Sequence, residues 1–120
     1  MFARARTGRV AVPLLESSRD RIPAIVLYEL EFGTLKINGP TRRRTLSRML
    51  ANLSEIPFDR DAARQSARIR VELERRGATI GALDLLIAGT ALSRGATLAT
   101  HNTSEFSRID GLRLEDWTAG

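Results

Sequence analysis

The sequence predicts an α/β fold, in which helices separate short strands that pair in parallel. Segments with apolar residues spaced three and four apart, typical of helices, alternate with brief continuous apolar runs, typical of buried strands. Glycine, proline and asparagine mark the boundaries between these segments. We therefore expect a single domain over residues 1–120, built as three α/β/α layers around a short parallel sheet.

The first half of the chain is predicted to hold three helices and one or two strands. Residues 9–19 are expected to form a short amphipathic helix, and the apolar run in residues 22–27 a buried strand. A helix over residues 28–36 is predicted to end before the Asn-Gly-Pro sequence at residues 38–40. The next helix opens at Pro40 and carries one apolar stripe, formed by Leu46, Met49, Leu50 and Leu53. Residues 56–58 are a brief strand or connector.

The second half carries the stronger signals. Asp59 is predicted to cap a helix over residues 60–76, and Gly77 to end it. The core face of that helix is expected to consist of Ala62, Ser66, Ile69 and Leu73. A mostly apolar, buried helix follows over residues 84–93 and ends at Gly95. A strand over residues 97–100, a short turn or helix over 103–108 and a last strand near 112–114 complete the prediction.

The composition narrows the class of protein. There are no cysteines, which excludes a disulfide framework and a thiolate zinc site and fits a cytoplasmic protein. No apolar run is long enough to span a membrane, so we expect no membrane partner. The formal net charge is +5, and Lys36 is the only basic residue that is not arginine. Arginine suits phosphate recognition, although a genome rich in arginine codons accounts for this composition equally well.

Polar side chains with oxygen atoms follow the predicted strands or open the predicted helices. Glu29 comes directly after the strand over residues 22–27, Asp84 begins the buried helix, and Asn102 and Glu105 follow the strand over 97–100. Ligands collect at the carboxyl edge of an α/β sheet, so we expect these side chains to meet there. Clustered carboxylates repel one another unless a cation offsets their charge. The pattern predicts a Mg²⁺ or Mn²⁺ site that hydrolyses a nucleic-acid backbone.

Each of these residues also has a purely structural interpretation. Asp84 is a candidate N-cap, and Glu29 a candidate partner for a helix dipole. Asn102 suits an ordinary turn, and Glu105 a solvated surface helix. His101 is the only histidine, and no Ser-His-Asp order is present, so acyl-transfer hydrolysis is excluded.

Four segments together resemble the PIN-domain ribonucleases, and specifically the VapC-like toxins of toxin–antitoxin pairs. They are residues 25–33 (IVLYELEFG), 68–77 (RIRVELERRG), 80–88 (IGALDLLIA) and the C-terminal signature 100–106 (THNTSEF), which is followed by Gly111 and residues 115–117. The motifs occur in the family's order and span nearly the whole chain.

The resemblance implies a metal-dependent endoribonuclease toxin. In the family, an acidic pocket holds Mg²⁺ or Mn²⁺ and cleaves RNA, the toxin forms a homodimer, and a cognate antitoxin blocks the pocket. Glu29 and Asp84 fall on positions of metal ligands, and Asn102 and Glu105 on the last polar cluster of the catalytic site. The family's first strand ends in Asp-Thr-Asn, and no such segment precedes Glu29. We therefore expect a PIN-like domain that lacks its first strand, with little ribonuclease activity.

One other function is compatible with the sequence, and a second is not. One is a catalytically inactive PIN-like module that binds the antitoxin, itself or RNA. The other is a receiver-like domain, which needs paired acids after its first strand, and these are not present. RNA contacts are expected at the densest basic patch, although a solvated helix face explains the same residues, which are Arg42, Arg43, Arg44 and Arg48.

Overall fold

A computed structural model describes residues 21–116 and, at the level of the backbone, residues 3–4 and 9–10. The strands are β1 (Ala3–Arg4), β2 (Arg9–Val10), β3 (Arg21–Pro23), β4 (Ser54–Ile56), β5 (Thr97–Thr100) and β6 (Leu114–Asp116). The helices are α1 (Ala24–Leu35), α2 (Pro40–Ala51), α3 (Arg60–Arg75), α4 (Ala82–Ser93) and α5 (Thr103–Phe106). This composition confirms the predicted α/β class.

The described strands form one sheet in the order β4-β3-β2-β1-β5-β6. The pairs β3–β4, β2–β3, β2–β5 and β5–β6 are parallel, as predicted. Strand β1 departs from the prediction, because it runs antiparallel to both β2 and β5. The predicted helix over residues 9–19 is wrong at its start, where residues 9–10 are strand; residues 11–19 lie outside the described part of the chain.

The predicted strand over residues 22–27 is wrong after Pro23, where α1 begins. Burial explains the difference: Val26 and Thr34 are buried and Leu30 is half-buried, which is a spacing of four residues and therefore one face of a helix. Thus a short run rich in β-branched residues adopts a helix because tertiary packing overrides local preference. Glu29 consequently lies inside α1, one turn beyond its first residues.

Helix α3 follows the prediction closely. The Asp59 carboxylate accepts a hydrogen bond from the Ala62 backbone N–H at 3.0 Å, which makes Asp59 the N-cap. The four predicted core residues of this helix are all buried. At its end Gly77 adopts φ +64°, and the Ala78 N–H donates to the Leu73 carbonyl at 2.9 Å, which closes a Schellman motif.

Helices α3 and α4 pack tightly against each other, and α4 also contacts β3 and β5. The close approach is centred on Gly89, since a Cβ atom there would lie 2.8 Å from the Ser66 backbone nitrogen. Fully buried side chains of Ile22, Val26, Ile87, Leu98 and Phe106 fill the core between the helices and the sheet. Each such burial stabilises the fold by about 1.5–3 kcal/mol. This core fixes where α4 begins, and Asp84 lies in its first turn.

Helix α2 contributes little to the core. None of its residues is fully buried; Leu46 and Leu50 of the predicted stripe are half-buried, as is Leu53 just beyond the helix, and Met49 is 52% exposed. The brief strand or connector predicted at residues 56–58 overlaps strand β4 only at Ile56, where that strand ends. The last strand begins at Leu114 rather than near residue 112. None of the helices described within residues 21–116 is long and apolar enough to cross a membrane.

Candidate active site

Asp84 and Glu105 form the centre of the candidate site. Asp84 is the third residue of α4, whose N-cap position is occupied by Gly81 and not by Asp84. The structural interpretation of Asp84 as an N-cap is therefore wrong. Glu105 lies in the short helix α5, directly after β5, and the two carboxyl groups are hydrogen-bonded to each other. The core packing of α4 and the turn after β5 thus bring together two acids that are 21 residues apart in the sequence.

The electrostatics of the pair are strongly perturbed. The pKa of Asp84 rises from 3.8 to about 7, chiefly because the carboxyl group is partly buried, then because of the hydrogen bond to Glu105 and the negative charges of Glu105 and Glu29. The pKa of Glu105 is lowered by the hydrogen bonds from Asn102 and from Asp84. Below about pH 7 the pair therefore holds one proton, with the protonated Asp84 donating to the Glu105 carboxylate, and near pH 7 this proton is present in about half of the molecules.

Glu29 lies close enough to Asp84 for its charge to raise the pKa of Asp84. It occupies the second turn of α1, and α1 has no acidic residue in its first turn, so the interpretation of Glu29 as a dipole partner is wrong. Its Oε1 atom is buried and has no hydrogen-bond partner. An unpartnered buried carboxylate oxygen is costly unless a cation or a proton donor satisfies it.

Asn102 and Glu105 are also joined directly. The Asn102 side-chain amide donates a hydrogen bond to Glu105 Oε2 at 2.8 Å. Asn102 is half-buried at the start of α5, so it is not the ordinary turn residue of the alternative interpretation. Glu105 is half-buried and bonded on two sides, so it is not the solvated surface acid of the alternative interpretation. The structure therefore brings all four predicted site residues into one cluster.

Thr100 belongs to this cluster and was not predicted from the sequence. It is the last residue of β5, is fully buried, and its hydroxyl oxygen accepts a hydrogen bond from the Asn102 backbone N–H at 3.0 Å. Threonine is common in strands, so its type gives no functional signal. Its position at the carboxyl end of a strand, two residues before Asn102, is the signal that was available.

The side chains of this cluster fit a hard divalent cation. All of them offer oxygen atoms, and one carboxylate oxygen, Oε1 of Glu29, lacks a partner. Among residues 21–116, however, no three histidine, aspartate or glutamate side chains are arranged to hold a metal ion by themselves. Mg²⁺ is commonly held by only one or two protein carboxylates, with water and substrate phosphate completing its shell. The pair Asp84–Glu105 with the nearby Glu29 meets that requirement.

The predicted basic patch lies on α2, a helix that contains no acidic residue. Arg42, Arg43, Arg44 and Arg48 are all exposed. The Arg43 side chain donates two hydrogen bonds to the Ile37 carbonyl, at 2.8 and 3.3 Å, and so has a structural role as well. Within residues 21–116 the other three guanidinium groups form no hydrogen bond or ion pair, so the patch presents positive charge to solvent.

Comparison with known proteins identifies the family. A sequence model of the PIN domain matches residues 1–112. The tRNA(fMet)-specific endonuclease VapC of Salmonella typhimurium is 40% identical over 104 residues, which cover 86% of this chain and 79% of the relative. Ribonuclease VapC5 of Mycobacterium tuberculosis is 31% identical over 114 residues, which cover 92% and 84% of the two chains.

Comparison with a solved structure leads to the same family. The DNA-bound VapBC complex of Salmonella typhimurium contains a chain that superposes with a TM-score of 0.75 at 40% identity, covering 81% of this chain and 74% of that one. The chain therefore belongs to the PIN-domain family and, within it, to the VapC-like ribonuclease toxins of toxin–antitoxin systems. The family predicted from the four sequence motifs is confirmed.

Proposed function

We propose that this chain is a metal-dependent endoribonuclease toxin that cleaves RNA phosphodiester bonds at the Asp84–Glu105 pair. The observation that carries the proposal is the hydrogen-bonded carboxyl pair of Asp84 and Glu105 beside the unpartnered carboxylate oxygen of Glu29. A site that keeps an aspartate half-neutral near pH 7 is energetically unfavourable for the fold alone, and perturbed pKa values of this kind concentrate at functional sites.

Asp84 and Glu29 are the residues that would hold the cation, with water and the substrate phosphate completing its shell and Glu105 accepting a hydrogen bond from one of the bound water molecules. A Mg²⁺ or Mn²⁺ ion bound there would lower the pKa of a water molecule and offset negative charge on the phosphate that is attacked. Binding requires that Asp84 give up its proton, because only the carboxylate is a ligand. The partial burial of Asp84 and Glu29 limits competing water, which strengthens the attraction of their charges for a cation.

The basic patch on α2 is the proposed contact for the RNA backbone. Its exposed guanidinium groups can pair with phosphates, and no exposed aromatic side chain of α2 lies among them for base stacking. The name of the Salmonella relative suggests tRNA(fMet) as the first substrate to assay.

Replacing three of these arginines by glutamine tests the contact, with Arg43 kept because it bonds to Ile37. We expect weaker RNA binding and a slope of log affinity against log salt that is shallower by about 2, since each phosphate contact on single-stranded RNA contributes about 0.7. An unchanged slope would exclude this patch. The three positions are Arg42, Arg44 and Arg48.

A cognate antitoxin is the proposed protein partner, because the structural relatives are toxin–antitoxin complexes. We further propose that the toxin forms a homodimer, as its family resemblance implies. Sedimentation of the purified chain with and without the antitoxin tests both statements, and a monomeric chain at micromolar concentration would argue against the dimer.

A second candidate function is an inactive PIN-like module that binds its partners but does not cleave RNA. Two observations favour it: no set of three acids within residues 21–116 is arranged to hold a metal ion, and the neighbouring strand residues 3–4 and 9–10 carry no carboxyl group.

A cleavage assay separates the two functions. Labelled tRNA(fMet) is incubated with the chain and Mn²⁺, in parallel with the variants Asp84→Asn and Asp110→Asn, the latter an exposed aspartate outside the cluster. If the chain is an active toxin, Asp84→Asn should lower the cleavage rate by more than about 100-fold, because changes that act only indirectly on a metal site typically cost about 10–100-fold. Asp110→Asn should leave the rate unchanged. Absence of cleavage in every sample, with antitoxin binding unchanged by Asp84→Asn, establishes the inactive module.

A further inference from the structure

The turn from β5 into α5 departs from the usual start of a helix. Asn102 is the N-cap residue, a position where an asparagine side chain normally accepts a hydrogen bond from a backbone N–H of the first turn. Here it makes no such bond, and its amide donates instead to the Glu105 carboxylate at 2.8 Å. The side chain therefore orients an acid and does not cap the helix.

Thr100 fixes the backbone of Asn102. Its buried hydroxyl oxygen accepts the Asn102 N–H at 3.0 Å, and Thr100 itself is paired in the sheet, with Ala3 of β1 on one side and Asp116 of β6 on the other. A hydrogen bond from a strand that is paired on both sides thus determines where the side-chain amide of Asn102 lies. Through that amide it determines the orientation of Glu105.

We propose that Thr100 and Asn102 are positioning residues that act on Glu105 and touch neither the cation nor the RNA. The inference rests on the proposed function, because it assigns roles within that site. The Asn102 amide donates to Glu105 Oε2 at 2.8 Å, and this bond remains when Asp84 has lost its proton. A carboxylate held by a fixed donor has a preferred orientation, and partners that orient the acids of a metal site in this way contribute about 10–100-fold to metal affinity or activity.

The substitution Asn102→Asp distinguishes positioning from direct metal binding. Aspartate keeps an oxygen ligand and adds a negative charge, but a carboxylate cannot donate a hydrogen bond to Glu105. If Asn102 bound the cation, the variant would bind Mn²⁺ as tightly as the wild-type chain or more tightly. A positioning residue predicts about 10–100-fold weaker binding. The spectrum of unbound Mn²⁺ in electron paramagnetic resonance measures this affinity directly.

Thr100 is tested with a pair of substitutions and a matched control. Thr100→Val keeps the shape but removes the acceptor, and Thr100→Ser keeps the hydroxyl. The control Thr90→Val makes the same change at another fully buried threonine, whose hydroxyl donates to the Leu86 carbonyl within α4. We expect about 10–100-fold weaker Mn²⁺ binding and a lower kcat with unchanged KM for RNA in Thr100→Val alone. Equal losses in Thr100→Val and Thr90→Val would overturn the proposal.

Nuclear magnetic resonance of the metal-free chain tests the same bonds independently of the proposed function. The Asn102 side-chain amide signal should shift in Glu105→Gln and in Thr100→Val, and remain in place in Thr90→Val. If the Asn102 signal does not shift in Thr100→Val, the proposed positioning of Glu105 through Thr100 and Asn102 is refuted, whether or not the protein binds metal. If the wild-type chain binds no Mn²⁺ and this signal still responds, the proposed function fails while the positioning of Glu105 by Thr100 and Asn102 stands.

Discussion

Replacing Asp84 by asparagine should stabilise the protein in a manner that depends on pH. Partial burial and the neighbouring acids raise the pKa of Asp84 from 3.8 to about 7, so the folded state disfavours its charged form. In the unfolded chain Asp84 ionises near pH 4. Between these two values the folded protein binds the extra proton, and its stability therefore falls as the pH rises.

The size of the effect follows from the pKa change. Without any reduction for solvent screening, a rise of the Asp84 pKa from 3.8 to about 7 corresponds to about 4 kcal/mol of destabilisation above pH 7. Asp84 is only partly buried, so solvent screening reduces this figure to about 1–2 kcal/mol. Asparagine has no charge to lose and its amide still donates to Glu105. We expect Asp84→Asn to gain about 1–2 kcal/mol near pH 8 and roughly a quarter of that near pH 4.5.

Urea denaturation of both proteins at the two pH values measures the difference in the free energy of unfolding. Asp110→Asn is the matched control, because Asp110 is exposed, and it should stay within about 0.5 kcal/mol of the wild-type chain at both pH values. An Asp84→Asn gain that is the same near pH 4.5 and pH 8, or a loss near pH 8, would refute the account of the carboxyl pair.

Two further predictions concern the packing that supports the site. Gly89→Ala should destabilise the fold by about 1–3 kcal/mol in urea denaturation, because the added Cβ would clash with the Ser66 backbone. Gly33→Ala is the matched control: this helical position has nothing within 4 Å of the added Cβ, so the substitution should stabilise the fold by about 0.5–1 kcal/mol. Asp59→Ala should lower the free energy of unfolding by about 1 kcal/mol, because α3 loses its N-cap. Arg94→Ala removes only the exposed ion pair with Asp59 at 3.1 Å, so it should cost less than half of that. Equal costs for the two substitutions would contradict the capping role of Asp59.

The sequence predicted the elements whose signals are local and agree with one another. Helix α3 has a capping aspartate, a regular apolar spacing and a closing glycine, and all three are found in the structure. The start of α1 was mispredicted because a short apolar run is compatible with a strand or a helix, and only contacts with distant residues decide between them. The stripe on α2 has helical spacing, but spacing does not say whether a partner covers it.

For the candidate site, residue types and positions predicted the members but not their contacts. Asp84 and Glu105 meet because α4 packs on α3 and on the sheet, which no local pattern encodes. The functions of the four residues stay predictions until the substitutions are made. Thr100 escaped prediction because its contribution is a single hydrogen bond to a backbone N–H, and its residue type is equally suited to an ordinary strand.

The shallow seating of helix α2 has a consequence for its dynamics. Because none of its twelve residues is fully buried, the helix can open without breaking the core formed by α3, α4 and the sheet. Its backbone amides should therefore exchange with deuterium far sooner than those of α4, in which five consecutive residues are buried. Any molecule that docks on the arginines of α2 will slow this exchange, so deuterium uptake offers a sensor for the occupant of that surface.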